Sequence, residues 1–257
     1  MNFKSKLLLA LLATSSAAFA QTAPAEPEST LGYNVGVVSQ YRYRGIAQTK
    51  GDAALQGGAD YADASGYYLG AWASTIKWIK DSGSNASGPV ELDLYGGYKF
   101  EAAGLAYDVG YLRYQYVNNS YDKVSTKNAN TDEVYGAVTA GVFTAKYSYA
   151  FSDLFGAYDA ANKKSSKGSG YLDLSATFDL GEGYSLVPHA GHQTVKNIAG
   201  ASYTDLALTL NKDLGDGLSA SAAAISTNVS KNAYFLSTAS NYNTAKNALV
   251  LGVKYSF

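Results

Sequence analysis

From Leu31 to the C-terminus, apolar residues recur at every second position in twelve stretches separated by polar, Gly-rich connections. A period of two is the signature of an extended strand, because successive side chains point to opposite faces. The fourth stretch is the clearest. It sets Val90, Leu92, Leu94, Tyr98 and Phe100 against Glu91, Asp93, Tyr95 and Lys99. The last sets Leu249, Leu251, Val253, Tyr255 and Phe257 against Val250, Gly252, Lys254 and Ser256, ending flush on an aromatic residue. The first begins at Leu31, with Tyr33, Val35 and Val37 on the same face. Tyr41 and Tyr43 extend that face, opposite Asn34, Gly36, Gln40, Arg42 and Arg44.

Three places disturb the pattern. Arg113 falls on the apolar face of the fifth stretch, Leu105 to Tyr116, so either a bulge shifts the phase there or the side chain snorkels at a membrane edge. The sixth, Glu133 to Ala140, alternates too weakly to assign its faces. Pro188 interrupts the ninth, Tyr184 to Gln193, and predicts a local break, since proline has no N–H for a ladder.

Connection lengths alternate in step with the strand count. Short turns such as "ADASG", "EAAG" and "GEG" follow the even-numbered stretches. Long polar segments follow the odd-numbered ones, the longest lying within Ser152 to Ser169 and Ser226 to Lys246. Both ends of the pattern lie on the short side. This predicts an all-β chain, a twelve-stranded transmembrane antiparallel up-and-down barrel with periplasmic turns and extracellular loops. Aromatics fit the same layout. Tyr33, Tyr61, Tyr67, Tyr98, Phe100, Tyr107, Phe143, Phe178, Tyr184, Tyr255 and Phe257 gather at the turn side, and Tyr41, Tyr43, Tyr111, Tyr147, Tyr149 and Tyr203 supply an outer belt.

The N-terminus adds an address. Lys4 and Lys6, an apolar run from Leu7 to Ala13 and the small residues Ala18-Phe19-Ala20 form a secretory signal peptide over residues 1–20. Residues 21–30 read as a disordered leader and 31–257 as the barrel. No apolar run approaches the roughly 20 residues of a spanning helix, so integral contact with a membrane falls to strands. The chain has no cysteine and therefore no disulfide framework, while 23 Tyr, 9 Phe and 26 Gly suit pleated surfaces and turns. Without Lys4 and Lys6 there are 18 Lys and Arg against 21 Asp and Glu, a formal charge of -3, which gives no case for nucleic acid as a partner.

One stretch carries a family resemblance. Tyr41-Arg42-Tyr43-Arg44-Gly45-Ile46, then Gln48-Thr49, Leu55-Gln56-Gly57-Gly58, Asp60-Tyr61 and Ser65-Gly66-Tyr67-Tyr68, leading to Gly70, Trp72, Ala73 and Ser74, resemble the opening of the TorF-type family. This is a group of proteobacterial outer-membrane proteins described as conserved and hypothetical. The resemblance implies a barrel and a channel; it implies no substrate.

The inward faces carry the candidate chemistry. Arg42, Arg44, Asp60, Glu91, Asp93, Lys99, Asp108, Lys146, Asp173, Asp179, Asp205 and Lys254 are expected to line the lumen. Such a mixed-sign lining suits a passive diffusion channel for small hydrophilic solutes; the alternative is a salt-bridged plug in a barrel that acts through its loops. Arg42 and Arg44 either form a constriction favouring anions or pair with Asp60. Tyr255 and Phe257 form the expected assembly signal, read by the barrel-assembly machinery, and the barrel's other partners are outer-membrane lipid and lipopolysaccharide. His189 and His192, three apart on a strand, face opposite sides, which argues against a shared metal. Nucleophile-elbow, phosphate-loop and zinc spacings do not occur, so no cofactor and no enzymatic role is expected.

Overall fold

The computed structural model describes residues 29–229 and 242–257. The expected signal peptide, most of the leader and the centre of the last long loop lie outside them. The twelve strands follow in chain order: β1 (Thr30–Val38), β2 (Ala54–Ala62), β3 (Tyr67–Thr75), β4 (Val90–Ala102), β5 (Leu105–Val117) and β6 (Thr131–Ala140). Then come β7 (Phe143–Ala150), β8 (Gly170–Ala176, resumed as Phe178–Gly181), β9 (Tyr184–Thr194), β10 (Tyr203–Gly215), β11 (Leu218–Thr227) and β12 (Ala248–Ser256). Every strand pairs antiparallel with its sequence neighbours, and β12 pairs with β1, so the sheet closes as a twelve-strand transmembrane barrel. Closure leaves no unpaired strand edge, which is the condition for backbone to sit in lipid.

The alternation becomes an outside and an inside. Leu69, Val109, Val134, Leu174, Leu208 and Leu251 are among the exposed apolar side chains around the wall. Their partners in phase, including Glu91, Asp93, Glu133, Gln193 and Asp205, are buried within it. An apolar outer face around a closed barrel is the surface that lipid covers in a transmembrane barrel. On the turn side the rings pack around the rim: Tyr67 lies tilted against Tyr98 at 4.8 Å, Phe100 stacks on Tyr107 at 5.0 Å, and Phe257 stacks between Tyr255 at 5.5 Å and Tyr33 at 5.8 Å.

Turn chemistry explains the tight ends. Ala103-Gly104, Glu182-Gly183 and Asp216-Gly217 hold positive φ at both central positions, the primed hairpin geometry that matches strand twist. The turn between β2 and β3 is built on Asp63, whose carboxylate accepts bonds from the Ser65 hydroxyl and, at 2.8 Å, the Ser65 N–H. These bonds hold the Asp63 carboxyl below the usual carboxylate range.

The three disturbed places resolve physically. Register runs unbroken through Arg113 on both sides, so there is no bulge; Arg113 stays on the outer face and pairs with Asp132 at 2.9 Å, with Gln115 beside it. On β6, Glu133 and Tyr135 point inward while Val134 is exposed. The strand holding Pro188 is continuous. The interruption falls in its neighbour, where the β8–β9 ladder skips from Ser175↔His189 to Phe178↔Leu186. Thr177 instead donates its N–H to Val142 at 2.9 Å.

Two expectations about belts and boundaries need correction. Thr30 already belongs to β1, and the first strand stops at Val38. Tyr41, Tyr43 and Tyr203 do not join an outer belt: all three are turned into the lumen. The alternation that placed Tyr41 and Tyr43 continues past the strand into a loop, where it no longer reports facing. Tyr203 lies in phase with Asp205, on the inward face of β10.

The closing seam ties the last residue in. Phe257 N–H donates to the Tyr33 carbonyl at 2.9 Å, and Tyr33 N–H returns a bond to the Phe257 carbonyl at 2.8 Å. Deleting Phe257 is therefore expected to lower the yield of heat-modifiable, membrane-inserted barrel while leaving the conductance of the molecules that do insert unchanged. Equal insertion yields, read by gel mobility of unheated samples, would reduce Phe257 to an ordinary belt residue.

Candidate functional site in the barrel lumen

Within the connection from β1 to β2, residues 40–49 do not project outward. They fold into the barrel as a small hairpin in which Arg42 pairs with Ala47 and Tyr43 with Ile46. Arg44 (φ 45°) and Gly45 (φ 79°) make its turn. Glycine is required at the tip, because a Cβ there would sit 2.6 Å from the Asp205 Cβ and 3.2 Å from that of Thr227. The tip thus abuts β10 and β11. Arg42, Arg44, Ile46, Ala47, Gln48 and Thr49 are all buried.

The hairpin is fixed at both ends. Gln48 N–H donates to the Tyr41 carbonyl at 2.8 Å, and the Gln48 carbonyl accepts from Lys77 and Trp78 N–H at 2.8 and 3.1 Å. Arg42 donates to the carbonyls of Gly45 at 3.1 Å and Thr244 at 3.0 Å and to the Gln40 side chain at 2.9 Å. Its guanidinium therefore braces the hairpin instead of lining an opening.

Arg44 reaches the facing wall. Its two terminal nitrogens donate to the two Glu133 oxygens at 3.0 and 2.8 Å, one also donates to Gln193 Oε1 at 2.8 Å, and the guanidinium lies 4.3 Å from the Tyr171 ring centre. The expected pairing of the arginines with Asp60 is not formed. They share no strand face, and Arg44 pairs with Glu133 on β6, not with Asp60. A buried fork-to-fork pair has a large desolvation cost, offset only when the groups around it are satisfied; here Gln193 accepts a further hydrogen bond from Arg44 and the Tyr171 ring face meets the guanidinium. Around it, Tyr41 donates to Glu91 at 2.9 Å and meets Trp72 edge-on at 5.5 Å, while the Tyr43 and Tyr114 hydroxyls touch each other. Phe155, from the loop joining β7 to β8, packs on Tyr43 at 5.7 Å and on Tyr114 at 5.2 Å, closing this layer from the outer side.

Below the hairpin, toward the turns, the lining is polar and only half buried. Asp60 accepts from Tyr95, Asp108 accepts from Tyr68 at 2.7 Å, Lys99 lies 4.8 Å from the Tyr68 ring and Lys146 lies 3.8 Å from that of Tyr135. Lys254 faces this space opposite Gly36. Asp173 and Asp205 flank His189: Asp205 Oδ2 stands 2.9 Å from Nε2 and Asp173 Oδ1 stands 3.3 Å from Nδ1, while Tyr171 donates to Asp205 at 3.0 Å. His192 is outside, beside Thr204 at 3.0 Å, so the two histidines do face opposite ways. Asp179 lies at the exposed turn-side rim, where its carboxylate accepts from Gly181 N–H at 2.9 Å, and does not line the interior.

Sequence reasoning missed Glu133, Gln193, Tyr171, Tyr114 and Phe155. Glu133 carried a weak signal, an acid heading a stretch whose faces could not be assigned. The others carried none, since their roles come from a hairpin remote in sequence.

These features define a fold class, the closed antiparallel transmembrane β-barrel, which solved porins share. The KdgM porin shares the fold at a TM-score of 0.51 and 9% identity, over 89% of this chain and 99% of that one. A KdgM porin in complex with disordered oligogalacturonate scores 0.52 at 9% identity, covering 89% and 99%, and the NanC porin 0.51 at 12% identity, covering 88% and 98%. At such identities the likeness concerns the fold alone. None of the curated proteins compared by sequence matches. The chain belongs to the Gcw_chp family, described as a bacterial protein of unknown function, whose profile matches residues 21–257. That span includes the whole N-terminal stretch on which the TorF-type resemblance rests.

Breaking the hairpin's anchor should be costly. Arg44→Met is expected to destabilise the folded barrel by about 3–5 kcal/mol, because it strands Glu133 without its partner. The double change Arg44→Met with Glu133→Leu should recover most of that loss in urea titrations of the refolded protein.

Proposed function

We propose that this protein is an outer-membrane channel that passes small hydrophilic solutes passively, through a lumen narrowed near its outer end by the hairpin of residues 40–49. The observation that carries this reading is the division of the lumen. The turn-side half is lined by half-buried charges of both signs, Asp60, Lys99, Asp108, Lys146 and Lys254, within a wall whose outer face is apolar. Charged side chains that retain solvent contact inside a lipid-facing wall mark a wet interior. The shared fold with the KdgM and NanC porins supports the same class. Export by the signal peptide, residence in the outer membrane against lipid and lipopolysaccharide, and delivery by the barrel-assembly machinery through Tyr255 and Phe257 complete the proposal. The mixed signs of the lining favour weak ion selectivity, and no catalytic role is assigned.

One observation favours a second reading. The hairpin reaches β6, β9 and β10 and is buried at most of its positions, which supports reading it as a plug. The barrel would then act through its loops, foremost the one joining β7 to β8. Planar-bilayer recordings of the refolded protein separate the two. Stepwise conductance is expected; its absence at every voltage would overturn the channel and leave the plugged barrel. In that case, deleting loop residues 152–169 should abolish surface adhesion.

A further inference from the structure

Beneath the hairpin, two inward carboxylates of β4 stand out from the paired charges around them. Asp93 is 0% exposed, and neither of its carboxylate oxygens has a hydrogen-bond partner among the described residues. Its Cα partners are Trp72 on β3 and Tyr114 on β5, which share its face. Glu91, two positions along the same face and 1% exposed, accepts from the Tyr41 and Tyr116 hydroxyls. The charged groups facing Asp93 are Glu91, Glu133 and Arg44, and the Arg44 guanidinium is already taken by Glu133. Three carboxylates therefore share one guanidinium in a buried layer. Burying an unpaired carboxylate is among the most expensive things a fold can do, and such groups are retained where they are neutralised by a ligand or a proton.

The chemistry narrows the ligand. The donors are oxygens only, two carboxylates with phenol hydroxyls beside them, and neither thiol nor imidazole adjoins them. Oxygen sets of this kind select hard cations over the soft and borderline metals. Among the described residues no three His, Asp or Glu side chains converge in metal-ligand geometry, so water would complete the shell. We propose that Glu91 and Asp93 bind a hard inorganic cation of the Ca2+ class beneath the hairpin. The bound charge would balance the excess negative layer and hold Tyr41, and with it the base of the hairpin, against β4.

The surrounding rings provide the assay. Terbium(III), a luminescent stand-in for Ca2+, is added to protein refolded in its presence, with excitation through the aromatic side chains. Sensitised emission is expected, displaced by Ca2+ and weakened on the order of tenfold or more in Asp93→Asn and in Glu91→Gln, as loss of a charged ligand dictates. The second variant keeps the test sound if the first refolds poorly. Equal emission from native protein and both variants would place the ion on surface carboxylates and overturn the site. No sensitised emission from the native protein, with Asp93→Asn as stable as or more stable than the native chain, would overturn it in favour of a protonated Asp93. Both readouts are independent of conductance, so the site can stand or fall apart from the channel.

Discussion

The structure depends on one constraint: backbone in lipid has no water to bond with, so every strand must find a neighbour on both sides. Twelve strands satisfy it only if the last returns to the first, and the β1–β12 ladder does so from Asn34↔Ser256 to Val38↔Gly252. Much else follows. The outward phase must be apolar because lipid covers it, the inward phase is free to be polar, and the rim aromatics occupy the boundary where ring and headgroup meet. Phe257 closes the register, stacks in the rim and ends the chain at once.

A closed barrel of this size encloses more space than its own inward side chains fill. The chain uses the connection after β1 to fill part of it. The hairpin's position rests on interactions made far away in sequence, with Arg44 reaching Glu133 and Gln193 and Gly45 fitting against Asp205. The lumen consequently has two regimes. Near the outer end, Tyr41, Tyr43, Tyr114, Phe155 and the Arg44–Glu133 pair form a packed layer; toward the turns, lysines lie over tyrosine rings and carboxylates accept tyrosine hydroxyls with solvent still in reach. If the barrel conducts as proposed, the packed layer is what limits flow.

Strand number, closure and the facing of most strands, though not of β6 or of Tyr203, were legible because period two is a local signal written into each strand. It even held at Arg113, where a basic residue kept its outward phase and found Asp132 one strand away. The same signal misled at Tyr41 to Arg44, where alternation persists through residues that form no wall strand. Tyr43 and Arg44 alternate as they would in a strand, yet the positive φ at Arg44 and Gly45 turns the chain back into the lumen. Gly45, directly after Arg44, was the one available hint. Pairings such as Arg44 with Glu133, or His189 between Asp173 and Asp205, were not legible, since periodicity says which way a side chain points but not what it meets across the barrel.

The central claim is that the residue 40–49 hairpin sets the width of the pathway. The most direct measurement is single-channel conductance of a barrel in which those residues are replaced by a short Gly-Ser turn. The account predicts that unit conductance rises several-fold above that of the native chain, as a packed layer becomes an open lumen. Unchanged unit conductance in a correctly inserted barrel would contradict it, because the limiting segment would then lie elsewhere.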